Sequence, residues 1–314
     1  MSEVASLTLE PLDREDRWQV AGMTFPAYRH LLALGERKRH PELGDERIVD
    51  PFGFVFRRED RVVALALAEV PVAPQDTLPP QLLSVFVEPA ERRLGLAGAL
   101  VARVEDEVRG RGYRELGAVY TCGRPGVAWM ERLLLDRGWD EPAPQSLSVR
   151  FEPTRALEST ALSEARLRSY SKGLVIFPWS QITAAELDGI RRSDREQHWV
   201  EPALNPWQFD PRSLDPSSVG ARYEGQVVGW VLNHRIISDA VRWSVAFMRR
   251  DLSRRARTVP LFEASLRRIV ERGDCRYCTF ITPFSYPHMI RLIRRWIAPI
   301  SFFVEESRRV RLVF

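Results

Sequence analysis

Apolar and polar positions along this chain form a pattern that occurs twice. Residues 61–69 (Arg61-Val62-Val63-Ala64-Leu65-Ala66-Leu67-Ala68-Glu69) and 226–234 (Gln226-Val227-Val228-Gly229-Trp230-Val231-Leu232-Asn233-His234) are apolar runs entered from charged turns, Arg58-Glu59-Asp60 and Tyr223-Glu224-Gly225. Both read as strands. Strands at 50–56 and 218–223 would precede them, and strands at 82–87 and 243–248 follow. Next comes an arginine-bearing loop and then an amphipathic helix, predicted over 97–111 and 259–272 and stopped by Gly112 and Gly273. A further strand (116–121; 277–282), a helix (127–137; 288–297) and a last strand (146–151; 310–314) complete each copy. The spacing predicts an α/β protein of two tandem domains, each a mixed, largely antiparallel sheet flanked by helices: residues 1–152, a linker at 153–172 that opens with Pro153, and residues 173–314.

A length of 314 residues agrees with two domains of about 150. With 45% apolar and 28% charged residues the composition is that of a folded globular protein. The longest apolar runs fall well short of the roughly 18 residues needed to span a bilayer. The start, Met1-Ser2-Glu3-Val4, has neither a basic nor an apolar leader pattern, so a cytoplasmic protein with no membrane partner is expected. Three cysteines make no disulfide framework, and Cys275-Arg276-Tyr277-Cys278 is a lone CxxC without the second pair of a structural zinc site, so no metal is expected. The net charge of +4 is carried mainly by arginine, which suits an anionic ligand, while interspersed acidic residues argue against a dedicated nucleic-acid face.

The loop between the second strand and the helix of the first copy holds the most specific chemistry. It reads Val87-Glu88-Pro89-Ala90-Glu91-Arg92-Arg93-Leu94-Gly95-Leu96-Ala97-Gly98. A diphosphate needs convergent backbone N–H groups and the positive end of a helix, and Gly95, Ala97 and Gly98 let the backbone come close. Arg92 and Arg93 add charge for phosphate oxygens. The run Arg92-Arg93-Leu94-Gly95-Leu96-Ala97, shortly after a strand that ends in x-Pro, resembles the acyl-CoA motif of the GNAT (Gcn5-related N-acetyltransferase) superfamily. The resemblance implies a tandem GNAT protein that uses acetyl-CoA or a longer acyl-CoA as co-substrate. It also implies that Val85, Phe86 and Val87, on a strand splayed from its neighbour, receive the pantetheine arm, and that residues 94–98 wrap the diphosphate. The corresponding run of the second copy is Ser253-Arg254-Arg255-Ala256-Arg257-Thr258, with alanine where the key glycine stands. A Cβ there obstructs close approach of the backbone, so the second domain is expected to be degenerate for CoA, with retention by its arginines alone as the other reading.

Acyl transfer to an amine with a pKa of about 10.4 requires a base, and the departing thiolate calls for an acid. At the places where many GNAT proteins carry a glutamate and a tyrosine, this sequence has Gln81 and Leu134. Substitutes are Glu69, which ends an apolar strand, Tyr120, which alternatively is a packed aromatic, and His234, which alternatively caps a strand in water. Cys122 has no adjacent histidine to activate it. The expected activity is acyl-CoA-dependent N-acylation of a primary amine on a small molecule or a peptide, with Lys or Orn side chains among the acceptors. The alternative is a non-catalytic acyl-CoA-binding or regulatory module, which the Gln81 and Leu134 departures favour.

Overall fold

The computed structural model describes residues 6–34, 38–39, 48–72, 79–159, 163–253 and 257–314. Two compact units emerge, Met1–Gln145 with Ser307–Phe314, and Ser146–Glu306. In the first, β1 (Leu7–Pro11), α1 (Arg17–Val20), β2 (Lys38–Arg39), β3 (Ile48–Arg58), β4 (Arg61–Pro71) and β5 (Gln81–Val87) precede α2 (Leu96–Gly110), β6 (Glu115–Thr121) and α3 (Val127–Leu135). The strand order is β1-β3-β4-β5-β6, antiparallel except for β5 beside β6, with β2 on β3.

β4 reads as an unbroken apolar run because both its faces are covered. Ala64, Ala66 and Ala68 face Leu100 and Val104 of α2, while Leu65 and Leu67 pack with Val20 and Leu31 on the other side. The alanines are the narrow side chains on the α2 face, and the leucines fill the opposite one.

The second unit contains most of β7 (Ala143–Phe151), then α4 (Pro153–Leu157), α5 (Glu164–Tyr170), β8 (Leu174–Pro178), α6 (Ala184–Gln197), β9 (Val219–Tyr223), β10 (Gln226–Ile237), β11 (Ala240–Met248), α7 (Arg250–Ser253), α8 (Val259–Arg272), β12 (Tyr277–Pro283) and α9 (Pro287–Leu292). Its strand order is β7-β12-β11-β10-β9-β8, again with one parallel pair, β11 beside β12. The β9–β10 hairpin turns on Glu224 and Gly225, both in the left-handed region (φ 50° and 77°), which is the backbone of a type I′ turn. Residues 153–172 carry α4 and α5, and Ala156 of α4 is buried in this unit's core.

The closing strands differ from the sequence expectation. Residues 146–151 pair with β12 of the second unit, from Ser146↔Pro283 to Phe151↔Cys278. Residues 307–313, the end of the last strand β13 (Ser301–Val313), pair with β6 of the first unit, from Ser307↔Thr121 to Val313↔Glu115. Each segment was expected to close the copy it ends. The reason is that alternation fixes a strand but not its partner: Leu147, Val149 and Phe151 are buried in the second core and Val310 in the first. Among the described residues no helix is long and apolar enough to cross a membrane.

Candidate functional site

The parallel strands of the first unit meet at one register pair, Gln81↔Gly117, beside which the Gly117 N–H donates to the Pro80 carbonyl at 2.8 Å. A Cβ on Gly117 would stand 2.7 Å from Nε2 at the movable end of the Gln81 side chain, which lies over this glycine. Past that pair β5 runs on to Val87 without a β6 partner, opening a V about 20 Å long at the usual rise per residue. Which backbone groups face the opening follows from one bond: the Glu88 N–H donates to Val63 O on β4 at 2.9 Å. Successive residues point their N–H and C=O groups to opposite sides, so Ser84 and Phe86 bond to β4 while Val85 and Val87 present theirs to the V. Phe86 therefore has only its side chain to offer a ligand. The Val87 carbonyl is taken by Arg92 Nε at 3.1 Å, a tie that no sequence signal announces.

The loop after β5 is held at its base. Glu91 accepts two bonds from Arg58, at 3.0 and 2.8 Å, and Glu88 accepts one from Arg61 at 2.6 Å. The Glu91 carboxyl is held below its usual range by the Arg58 hydrogen bonds. The backbone then passes through two left-handed residues, Arg93 (φ 72°) and Gly95 (φ 78°), into α2. No side chain caps this helix, and among the described residues no protein acceptor takes the N–H groups of Leu94, Gly95, Leu96, Ala97 or Gly98. A Cβ built on Gly95 would have no neighbour within 4 Å, so the ground in front of these amides is open. Arg92 and Arg93 form no ion pair among the described residues. Free amides, the helix dipole and two unpaired cations together fit a diphosphate.

The second unit repeats the scaffold with a different ending. β11 and β12 pair from Ala240↔Tyr277 to Trp243↔Phe280 and then part. The Arg249 N–H donates to Val228 O at 2.8 Å, as Glu88 does to Val63. Residues Arg254, Arg255 and Ala256 of the counterpart loop lie outside the described residues. At the start of α8, Pro260 has no N–H and the Leu261 N–H is already given to Thr258 O at 3.1 Å, and among the described residues Val259 N–H has no acceptor.

Of the residues considered for proton transfer, Glu69 and Tyr120 belong to the first unit and His234 to the second. Glu69 is buried, opposite Gln81 at the closed end of the V, on the face of β4 shared with Leu65 and Leu67. Tyr120 lies farther along β6, where its hydroxyl donates to Glu131 Oε1 at 2.8 Å. Burial first, and then that bond, push the phenol well above its usual range. Arg308 Nη1 donates to the same carboxylate oxygen at 3.0 Å. Glu131 and Arg308 could not be read from the sequence, since they come from a later helix and from the chain's end. His234 Nδ1 is 2.7 Å from Ser244 Oγ, and its ring centroid is 5.1 Å from that of Phe209. Burial first, and then Arg242, lower its pKa, so the imidazole is neutral at pH 7. Leu134 is fully buried in the core, and Cys122 is half-buried.

Residues 18–134 match the acetyltransferase (GNAT) family. Among curated proteins none matches the sequence. In three dimensions the chain is similar to a tandem GNAT protein from the clavulanic acid biosynthesis pathway, at TM-score 0.59 and 14% identity over 98% of both chains. It is similar to a GCN5-related N-acetyltransferase from Sphaerobacter thermophilus at TM-score 0.61 and 14% identity, over 98% of this chain and 95% of that one. A glucosamine N-acetyltransferase region of a fungal multi-domain β-N-acetylglucosaminidase gives TM-score 0.62 and 12% identity, over 99% of this chain and 38% of the other.

Proposed function

We propose that this chain, whose residues 18–134 match the acetyltransferase (GNAT) family and whose fold is similar to that of a tandem GNAT protein, moves an acyl group from acyl-CoA to a primary amine, with the CoA held by the first unit. The observation that carries the reading is the row of unused N–H groups from Leu94 to Gly98 at the open start of α2. The diphosphate would lie on those amides, with Arg92 and Arg93 beside its oxygens. The pantetheine arm would run into the V and exchange hydrogen bonds with Val85 and with the Val87 N–H, the groups that β6 leaves unpaired. The Phe86 side chain would pack beside the arm.

The chain's own residues would then do three things. The Val85 N–H, fixed in direction by β5 and nearer the closed end than the Val87 N–H that the arm takes, stabilises the negative charge that develops on the thioester oxygen. Glu69, reached through water from the closed end of the V, accepts the proton of the amine. Tyr120 keeps its proton: a phenol held above its ordinary value of about 10 cannot readily protonate a thiolate whose acid has a pKa near 8.5, so its part is to orient Glu131 and Arg308 at the strand edge, and the departing CoA thiolate takes its proton from water in the open V. His234 belongs to the second unit, where its Nδ1 meets Ser244 Oγ, and is given no step in this scheme. The acyl group would be acetyl or longer, and the acceptor a small-molecule or peptide amine, Lys and Orn side chains included.

The second reading, a module that binds acyl-CoA without transfer, is favoured by Gln81 and Leu134 at the family's usual acid/base places and by the engaged Tyr120 hydroxyl. Incubation with acetyl-, octanoyl- and palmitoyl-CoA and a panel of amines, following CoA release, separates the two. Turnover that falls at least tenfold in Glu69→Gln with unchanged CoA affinity supports the first; tight CoA binding with no amine-dependent release supports the second.

A further inference from the structure

The Cys275-Arg276-Tyr277-Cys278 run of the second unit is left unused by the acyl-transfer reading. It spans the passage from α8, which ends at Gly273, to β12, which begins at Tyr277, and the chain bends at Arg276 between the two cysteines. One acceptor holds the bend: the Asp239 carbonyl receives the Arg276 N–H at 2.7 Å and the Tyr277 N–H at 3.3 Å. An extended chain would put residues three apart at about 10 Å, outside the roughly 4.4–6.8 Å between Cα atoms that a disulfide spans. Here the two thiols meet. Cys275 and Cys278 share a side-chain hydrogen bond, and Cys275 Sγ also lies 3.1 Å from the Tyr277 carbonyl oxygen. They are unequal partners. Cys278 is fully buried, in register with Val241 and packed in the core of its unit, whereas Cys275 is half-buried. The bond from Cys278 lowers the Cys275 thiol to about 7; burial opposes this, and the Val241 N–H and the Arg235 guanidinium add to the lowering. The same bond, and then burial, push Cys278 up, so Cys275 ionises near neutral pH while its neighbour keeps its proton. Among the described residues no third metal-ligating group joins the pair.

We propose that Cys275 and Cys278 form a reversible oxidation site for hydrogen peroxide, in which Cys275 takes the oxygen and Cys278 closes a disulfide onto it. The thiolate is the nucleophilic form of a cysteine, and a low-pKa thiol poised beside a second one is the arrangement that such chemistry requires. In the first step the Cys275 thiolate attacks one peroxide oxygen: an S–O bond forms, the O–O bond breaks, and the departing hydroxide takes a proton from solvent to leave as water. In the second, the Cys278 sulfur attacks the Cys275 sulfenic acid: the S–S bond forms, the S–O bond breaks, and the hydroxide leaves as water with the Cys278 proton. The sum is two thiols and one peroxide to one disulfide and two waters, with the sulfurs oxidised by two electrons and the peroxide reduced by two. A dithiol reverses it by exchange. The site is separate from the diphosphate ground at Gly95, whose elements all belong to the other unit.

The test treats the folded full chain with equimolar hydrogen peroxide at neutral pH, blocks the remaining thiols, and maps the tryptic peptides by mass. Trypsin cuts after Arg272, Arg276 and Arg291, so the disulfide appears as peptide 273–276 linked to peptide 277–291, and dithiothreitol separates them. Cys122, in the first unit, is the internal reference. The linked pair should form at least tenfold faster than Cys122 is oxidised. In Cys278→Ala the reaction should stop at the sulfenic acid, which dimedone labels at Cys275; in Cys275→Ser dimedone should label neither 275 nor Cys278. In the untreated wild type, alkylation of Cys275 by iodoacetamide should reach half its maximal rate at a pH of about 7. Dimedone-labelled Cys275 without linked peptides in the wild type, oxidation of Cys275 no faster than that of Cys122, or a disulfide that runs through Cys122 would each overturn the proposal.

Discussion

The two helix starts of this molecule, α2 in the first unit and α8 in the second, follow a similar strand-loop-helix plan and yet differ in the backbone donors described at their first turns. At α2, no described residue accepts from the N–H groups of Leu96, Ala97 and Gly98, and a Cβ at Gly95 would have no neighbour within 4 Å. At α8, a proline and an internal bond to Thr258 O withdraw two of that helix's own first three donors. Scaffold and site are thus separable. A duplicated framework keeps its V-shaped parting of parallel strands in both copies, while the backbone donors described at the two helix starts differ.

The largest expected effect breaks the first entrance. Gly95→Trp places an indole over the amides and should weaken CoA binding by at least a hundredfold in calorimetry, while Ala256→Trp in the other loop should leave affinity unchanged and the stoichiometry at one CoA per chain. The reverse result would exchange the roles of the two units. A second difference lies in acid sensitivity. The Asp215 carboxyl of the second unit is pushed up by burial, but bonds from Arg272 and from Ser217 outweigh this and lower it to about 2. Arg222 and Thr183 bring Glu186 of the same unit to about 2 as well. A carboxyl with a depressed folded pKa stabilises above its unfolded value and loses that contribution as pH falls through the folded value. Between about pH 4 and pH 2 the second unit should therefore lose roughly 2 kcal/mol through Asp215. Asp215→Asn should flatten that part of its pH–stability curve in chemical denaturation. A curve as steep as the wild type's would show that the Arg272 pair does not set it.

Next in size comes Arg92→Ala. The side chain does two things at the first entrance: its Nε holds the Val87 carbonyl at 3.1 Å, and its charge stands beside the proposed diphosphate. Its loss should cost five- to tenfold in CoA affinity, with most of the difference gone at high salt. A loss that salt does not reduce would mean that the tie to Val87 matters and the charge does not.

How much of this was legible in the sequence follows from how local each feature is. The entrance at α2 could be read because Arg92 to Gly98 act through their own backbone, and β4 and β10 because a strand covered on both faces must be apolar throughout. The parting of β5 from β6 entered only through family resemblance, since the Gln81↔Gly117 contact joins residues from separate strands. The exchange of closing strands was misread for the same reason: the alternation at 146–151 and at 307–313 says that each is a strand and is silent about which edge each fills. Glu131 and Arg308 meet at Tyr120 through that exchange, so no reading that kept 310–314 in the second copy could have assembled them.

The smallest expected effect is the sharpest probe of why the entrances differ. Ala256→Gly restores the glycine that the second loop lacks, and if a Cβ were the whole obstacle a second CoA would then bind. The start of α8 predicts otherwise. Pro260 still has no N–H, and the Leu261 N–H remains committed to Thr258 O, so removing one methyl opens the approach to a helix end that has little to offer. The variant should bind one CoA per chain with affinity within twofold of the wild type, and adding Pro260→Ala should begin to raise the stoichiometry by returning a donor to the first turn. If Ala256→Gly alone brings the count to two, then steric access and not the supply of amides is what evolution altered in the second copy, and the distinction between the two helix ends reduces to a single Cβ.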